Sequence, residues 1–157
     1  EDSLTGVLNR RALEQGLQRE WYRCLDQRRP LSALMIDVDH FKQYNDKFGH
    51  LEGDVLLREI AQSLKTNHDA KRELLARFGG EEFALLLPGV SLEDAVQRAD
   101  KIRLAVTEHN RNITVSIGVA GFVPSIQMEQ ISLLRRADAA LYRAKRGGRN
   151  RVEKDND

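Results

Sequence analysis

A single cysteine, Cys24, excludes an internal disulfide and a thiolate zinc site, and it fits a reducing compartment. Aromatic residues make up only 6% of the 157 residues, and the three prolines (Pro30, Pro88, Pro124) fall between periodic segments, so no proline-rich linker divides the chain. No apolar run approaches the ~20 residues of a bilayer span, and Glu1 to Arg10 lacks the basic start and apolar core of a secretory leader. A cytoplasmic domain is therefore expected, without membrane contact of its own. The absent initial methionine fits a piece of a longer protein, whose membrane attachment, if any, lies elsewhere. Charge of one sign is also missing: 25 basic and 24 acidic side chains leave a net +1, which argues against a non-specific nucleic-acid binder.

What is present is the composition of one compact domain, 41% hydrophobic and 31% charged, long enough to bury its own core. Asn9 is placed to cap a helix with Leu13, Leu17, Trp21 and Cys24 at helical spacing. Leu31 to Val38 reads as a buried strand ending in Asp37-Val38-Asp39. A short helix follows, with Asp39 as its expected cap and Gly49 as its stop. Leu51, Val55, Leu56, Ile60 and Leu64 then mark a longer one. Leu74 to Phe78 and Phe83 to Leu87 flank Gly79-Gly80-Glu81-Glu82 as a β-hairpin. Ser91 starts a helix carrying Ala95, Ala99, Ile102 and Val106, Ile113 to Ala120 is a strand, and Leu133 to Lys145 is a last helix before Gly147-Gly148. This is an α/β order, a central sheet covered by helices, and the hairpin makes the sheet mixed.

The acids are the informative feature. Asp37 and Asp39 lie two apart at a strand end, and Glu81 and Glu82 sit at a hairpin tip between apolar strands. Crowded carboxylates need a proton or a cation, and a hard divalent ion with oxygen ligands is the natural partner: Mg²⁺ first, Mn²⁺ as a substitute. Turn and capping roles are the alternative for each acid, and spacing leaves both open. His40, His50, His68 and His109 form no helical ligand pair, and no acyl-transfer or P-loop pattern occurs. Between Arg135 and Arg151 seven Lys or Arg face one acid, Asp138, which is expected to pair with a neighbouring Arg. This is either an anion-attracting surface or a solvated helix face beside an acidic tail. Amides at the helix start after Asp39, with Lys42 and this basic surface, suit a metal-chelated triphosphate.

Arg77-Phe78-Gly79-Gly80-Glu81-Glu82-Phe83 resembles the signature of GGDEF domains, the diguanylate cyclases that make cyclic di-GMP from two GTP. Asp2 to Arg10 is similar to that family's opening motif, and Ile36 to Lys42 to its first strand and phosphate loop. Asn45 to His50 with Gly53-Asp54 resembles its base-binding region, and Thr114 to Val119 and Ala137 to Lys145 with Gly148-Arg149-Asn150 complete the likeness. It covers nearly the whole chain. It implies a single domain over 1–157, the C-terminal part of a signalling protein with an upstream sensor. The implied fold is a nucleotide-cyclase or palm-like α+β sandwich with five strands, the signature on its hairpin.

Position by position, the resemblance implies that Asp37 and Glu81, with the carbonyl of Val38, ligate Mg²⁺, with Glu82 in the same acidic site. Lys42 and the amides around His40 and Phe41 would hold phosphates, and Lys145 and Arg149 the terminal phosphate. Asn45 and Asp54, with His50 nearby, would read guanine. Glu81 or Glu82 is the candidate for assisting deprotonation. Each domain holds one GTP, so the resemblance implies a two-fold dimer. Arg77 is alternatively a partner for an acid near the hairpin, and Asn9 and Arg10 are structural. Trp21, Phe41, Phe48, Phe78 and Phe83 read as core or turn packing. One departure stands out: many members carry Arg-x-x-Asp for product inhibition, where this sequence has Ala70-Lys71-Arg72-Glu73. The rival reading is a catalytically silent GGDEF module that binds nucleotide to regulate an attached domain. A variant making a mixed cyclic dinucleotide is disfavoured by Asp54.

Overall fold

The computed structural model describes residues 1–156. In chain order the elements are α1 (Arg10–Gln27), β1 (Leu31–Val38), α2 (Phe41–Phe48), α3 (His50–Thr66), β2 (Leu74–Arg77), β3 (Glu82–Pro88), α4 (Leu92–His109), β4 (Val115–Phe122), α5 (Ile131–Arg146) and β5 (Val152–Lys154). The strands form one sheet in the order β2-β3-β1-β4-β5. All pairings are antiparallel except β4 with β5, so the sheet is mixed, as expected. Among the described residues no helix is long and apolar enough to cross a membrane.

The uninterrupted apolar run of β1 follows from its central position, since successive side chains feed opposite layers. Leu34, Ile36 and Val38 pack with Leu56 and Ile60 of α3 and with Ala99 and Ile102 of α4. Ala33 and Met35 pack on the other face with Leu13, Leu17 and Trp21 of α1 and with Ala137 and Leu141 of α5. That second layer is thin at β4, where Gly118 lets α5 approach: a Cβ there would overlap the backbone at Ala137 and Leu141.

Local signals hold where they were short-range. Asn9 caps α1 by accepting from the Ala12 N–H at 2.8 Å, Ser91 caps α4 by accepting from the Asp94 N–H at 3.2 Å, and Gly49 ends α2 at φ 89°. Arg10 stacks its guanidinium 4.2 Å from the Phe78 ring centre. Four expectations need correction. Asp39 does not cap α2, whose N-cap is His40 at φ 58° with no side-chain bond. Leu51 is 83% exposed, because the buried stripe of α3 begins at Gly53 and continues through Leu56, Leu57 and Ile60. Phe48 is exposed and leans on Tyr44. Asp138 makes no ion pair with an arginine among the described residues. The fifth strand is the three-residue β5, which runs beside Ile117–Val119 at the open edge of β4.

Candidate functional site

A cleft of about 290 Å³ opens at the C-terminal end of β1. Asp37 and Val38 form its floor, Glu81 and Glu82 enter from the β2–β3 turn, Phe41 and Lys42 from the start of α2, and Lys145 and Arg149 from the end of α5. Strand register sets the core of this arrangement: Asp37 stands opposite Glu82 on β3 and Ser116 on β4. The Val38 N–H donates to the Glu81 carbonyl at 3.2 Å, so the hairpin tip is stitched to β1. Its other brace is remote in sequence. Arg77 donates to the Gly80 carbonyl at 2.7 Å and pairs with Asp2 at 3.4 Å, while Asp2 also accepts from Thr5. The opening motif therefore supports the glycine turn, and Arg77 has the acid partner expected of it.

The electrostatics are unbalanced toward negative charge. Burial pushes the Asp37 carboxyl above its ordinary range, and the charges of Glu81 and Asp39 add to this against the opposing contact from Lys145. Glu82 is raised by burial and then by Asp37, Asp138 and Glu81. Asp138 thus adds to the repulsion at the hairpin. Burial alone would lower Lys145, but its ion pair with Asp37 and the charges of Glu82 and Glu81 raise it. One ammonium is shared among several acids, a donor set that suits an added hard cation. Among the described residues no three His, Cys, Asp or Glu side chains converge closely enough for a complete ligand cage. A divalent ion here would be held by one or two carboxylates, with backbone, water and phosphate oxygens supplying the rest, which is how Mg²⁺ is commonly bound.

The remaining sequence candidates divide by location. Of the basic C-terminal run only Lys145 and Arg149 reach the cleft. Arg136 pairs with Asp155, Arg143 donates to the Lys154 carbonyl, and Arg146 lies on Tyr142, so much of that run is engaged with its own neighbourhood. His40 and Lys42 are exposed at the cleft mouth, and His40 leaves the first amides of α2 without a side-chain cap. Asn45, His50 and Asp54 do not line the cleft; they sit beyond it on α2 and α3. His50 is exposed and Asp54 half-buried. Asn45 Oδ1 is buried without a donor, tucked where a Cβ on Gly53 would overlap it. An unpaired buried acceptor costs about 1–3 kcal/mol.

Sequence reasoning gave Asp39 the wrong role, that of a helix cap. It is 4% exposed and accepts from Ser116 Oγ and Thr114 Oγ1, each at 2.6 Å, and from the Asn150 N–H at 3.0 Å. The signal was the pair of hydroxyls two apart on the strand beside β1, legible only once β4 is known to pair there. A larger depression of about 670 Å³ lies between α1 and the Lys71–Leu74 segment, away from this cleft. Its acids are already spoken for: Glu20 pairs with Arg23 at 3.6 Å, Asp69 accepts from the Lys71 N–H at 3.0 Å, and Glu73 is bonded to Arg98.

The family profile described as "Diguanylate cyclase, GGDEF domain" matches residues 1–151. The diguanylate cyclase DgcP of Pseudomonas aeruginosa is 42% identical over 97% of this chain, and the response regulator PleD of Caulobacter vibrioides 42% over 96%. The chain spans only 23% and 35% of the lengths of those two relatives. Among solved structures, the GGDEF domain of DgcB from Caulobacter crescentus in complex with c-di-GMP superimposes with a TM-score of 0.91 at 34% identity, covering 99% of this chain and 93% of that one. The active GGEEF domain of a diguanylate cyclase from Vibrio cholerae gives 0.88 at 35% identity, covering 96% and 99%.

Proposed function

The chain belongs to the GGDEF family of diguanylate cyclase domains, and from that premise we propose that it condenses two GTP into cyclic di-GMP with release of two pyrophosphates. The 3′-hydroxyl oxygen of one GTP bonds to the α-phosphorus of the other, the bond from that phosphorus to the bridging oxygen breaks, and pyrophosphate leaves. A second such step closes the ring. Each domain carries one nucleotide, so the two reacting groups meet across a two-fold pair of domains. The observation that carries this reading is the gathering of Asp37, Glu81, Glu82, Lys145 and Arg149 on one cleft from three separate stretches of chain.

Asp37, Glu81 and the Val38 carbonyl would hold Mg²⁺, or Mn²⁺ in its place. The bound ion would lower the pKa of the attacking hydroxyl and neutralise phosphate charge. Glu82, whose carboxyl burial raises, is suited to take the hydroxyl proton. Lys42, the α2 amides, Lys145 and Arg149 position the triphosphate, and most of the catalytic work is such positioning. Lys145 would exchange its ion pair with Asp37 for contact with phosphate. Asn45 and Asp54 would bond guanine N–H groups, which discriminates strongly because adenine leaves the acceptors unpaired. The test is chromatographic assay of cyclic di-GMP from GTP and Mg²⁺ across a wide range of protein concentration. Turnover per molecule that rises with concentration is expected; no product at any concentration, with GTP still bound, would replace this reading with a regulatory binding module.

A further inference from the structure

We propose that Asp39 is a positioning residue for the phosphate-facing arginine: its carboxylate clamps the Arg149–Asn150 turn and thereby aims Arg149 into the cleft. The turn needs a clamp. Gly148, Arg149 and Asn150 run consecutively at φ 120°, 64° and 47°, and the last two carry side chains in a left-handed conformation that persists only where the surroundings over-determine it. The determinants are visible. The Asn150 N–H donates to Asp39 Oδ2, Arg103 of α4 donates to Asn150 Oδ1 at 2.8 Å, and the Arg149 N–H closes the end of α5 on the Ala144 carbonyl at 3.0 Å. Asp39 is itself fixed, because Ser116 of β4 and Thr114, just before that strand, donate to its two oxygens. The result is a rigid link from the end of β1 to the turn that carries Arg149, spanning 111 residues of sequence. Both oxygens of Asp39 point into this link. Asp39 borders the cleft, but with its carboxylate engaged in these bonds it serves the site through Arg149.

The inference rests on the reading of Arg149 as a contact to the terminal phosphate of bound GTP, and the experiment separates the two. Calorimetric titration with 3′-deoxy-GTP, which lacks the attacking hydroxyl, and with GDP, both with Mg²⁺, is run on the wild type and on Asp39→Asn, Arg149→Ala and the double variant. Asp39→Asn is expected to weaken the triphosphate by about tenfold and to leave GDP unchanged. The double variant should be no worse than Arg149→Ala alone. Arg103→Ala cuts the second tether from the surface and should give a smaller loss of the same triphosphate-selective kind, which keeps the idea testable if Asp39→Asn does not fold. Equal weakening of both nucleotides, or additive losses in the double variant, would overturn the proposal and leave the phosphate reading intact. Normal triphosphate binding by Arg149→Ala would sink both.

Discussion

Two ion pairs built on buried carboxylates in this domain share a chemistry and differ in what surrounds them. Glu73 is bound by both terminal nitrogens of Arg98, at 2.8 and 2.9 Å, and accepts from the Asp69 N–H at 2.9 Å. Burial alone would raise its carboxyl, but these bonds hold it below the ordinary range, and the bond to Glu73 raises Arg98 in turn. Asp37 also touches a cation, Lys145, yet burial and the neighbouring Glu81 and Asp39 leave its carboxyl raised. The first pair is a closed set of bonds that secures the β2 end of the sheet. The second lacks enough positive charge for its acids, and that deficit is what a metal–nucleotide complex would fill. Ion pairing alone does not mark a site; an unsatisfied surplus of one charge does.

Swapping the charge in each pair should give opposite results. Asp37→Asn or Glu81→Gln is expected to lower cyclic di-GMP formation by at least about a hundredfold, measured by chromatography, with melting temperature unchanged or raised. Glu73→Ala should do the reverse. Stranding Arg98 should cost about 2 kcal/mol, a figure discounted because Arg98 is 30% exposed, read from the urea midpoint with turnover per folded molecule retained.

The pH dependence sharpens the contrast through its sign. The Glu82 carboxyl is higher in the folded state than unfolded, so its contribution to stability is fully present below the unfolded value and is lost as pH rises through the folded one. Glu82→Gln should therefore be more stable than the wild type near neutral pH, with the difference closing as the solution is acidified below the ordinary glutamate range. The Glu73 carboxyl is lowered, so its contribution is present above the unfolded value and lost as pH falls through the folded one. Glu73→Gln should be less stable at neutral pH, with a gap that also closes in acid. Denaturant titrations at several pH values check both; gaps of the same sign would break the comparison.

The smallest effect concerns the product. Ala70 stands where the family's inhibition motif has arginine, and Glu73 at its acid position is held by Arg98, so weak or no feedback by cyclic di-GMP through this segment is expected. Submicromolar binding that vanished on changing Arg72 or Glu73 would show otherwise.

Most of the sheet was legible because its signals are local. The bounds of β1 follow from one apolar run, the Asn9 and Ser91 caps from hydroxyl or amide side chains before periodic segments, and the hairpin from two glycines between strands. What was not legible is non-local. Asp39 reads as a cap because it precedes a helix, yet its partners Thr114, Ser116 and Asn150 lie 75, 77 and 111 residues away. Leu51 fits the helical period but falls before the turn at which α3 meets the sheet. Val152–Lys154 carries no strand pattern and pairs only because β4 offers it an open edge. Likewise, the acids of the cleft were visible one by one, whereas the sharing of Lys145 among them needed the fold.

The most direct measurement is the thermal shift produced by Mg²⁺ with 3′-deoxy-GTP in the wild type, Asp37→Asn and Glu73→Gln. A ligand-dependent rise in melting temperature is expected for the wild type and for Glu73→Gln from its lower baseline, and none for Asp37→Asn. An undiminished rise in Asp37→Asn would contradict the assignment of the charge-deficient pair as the nucleotide site.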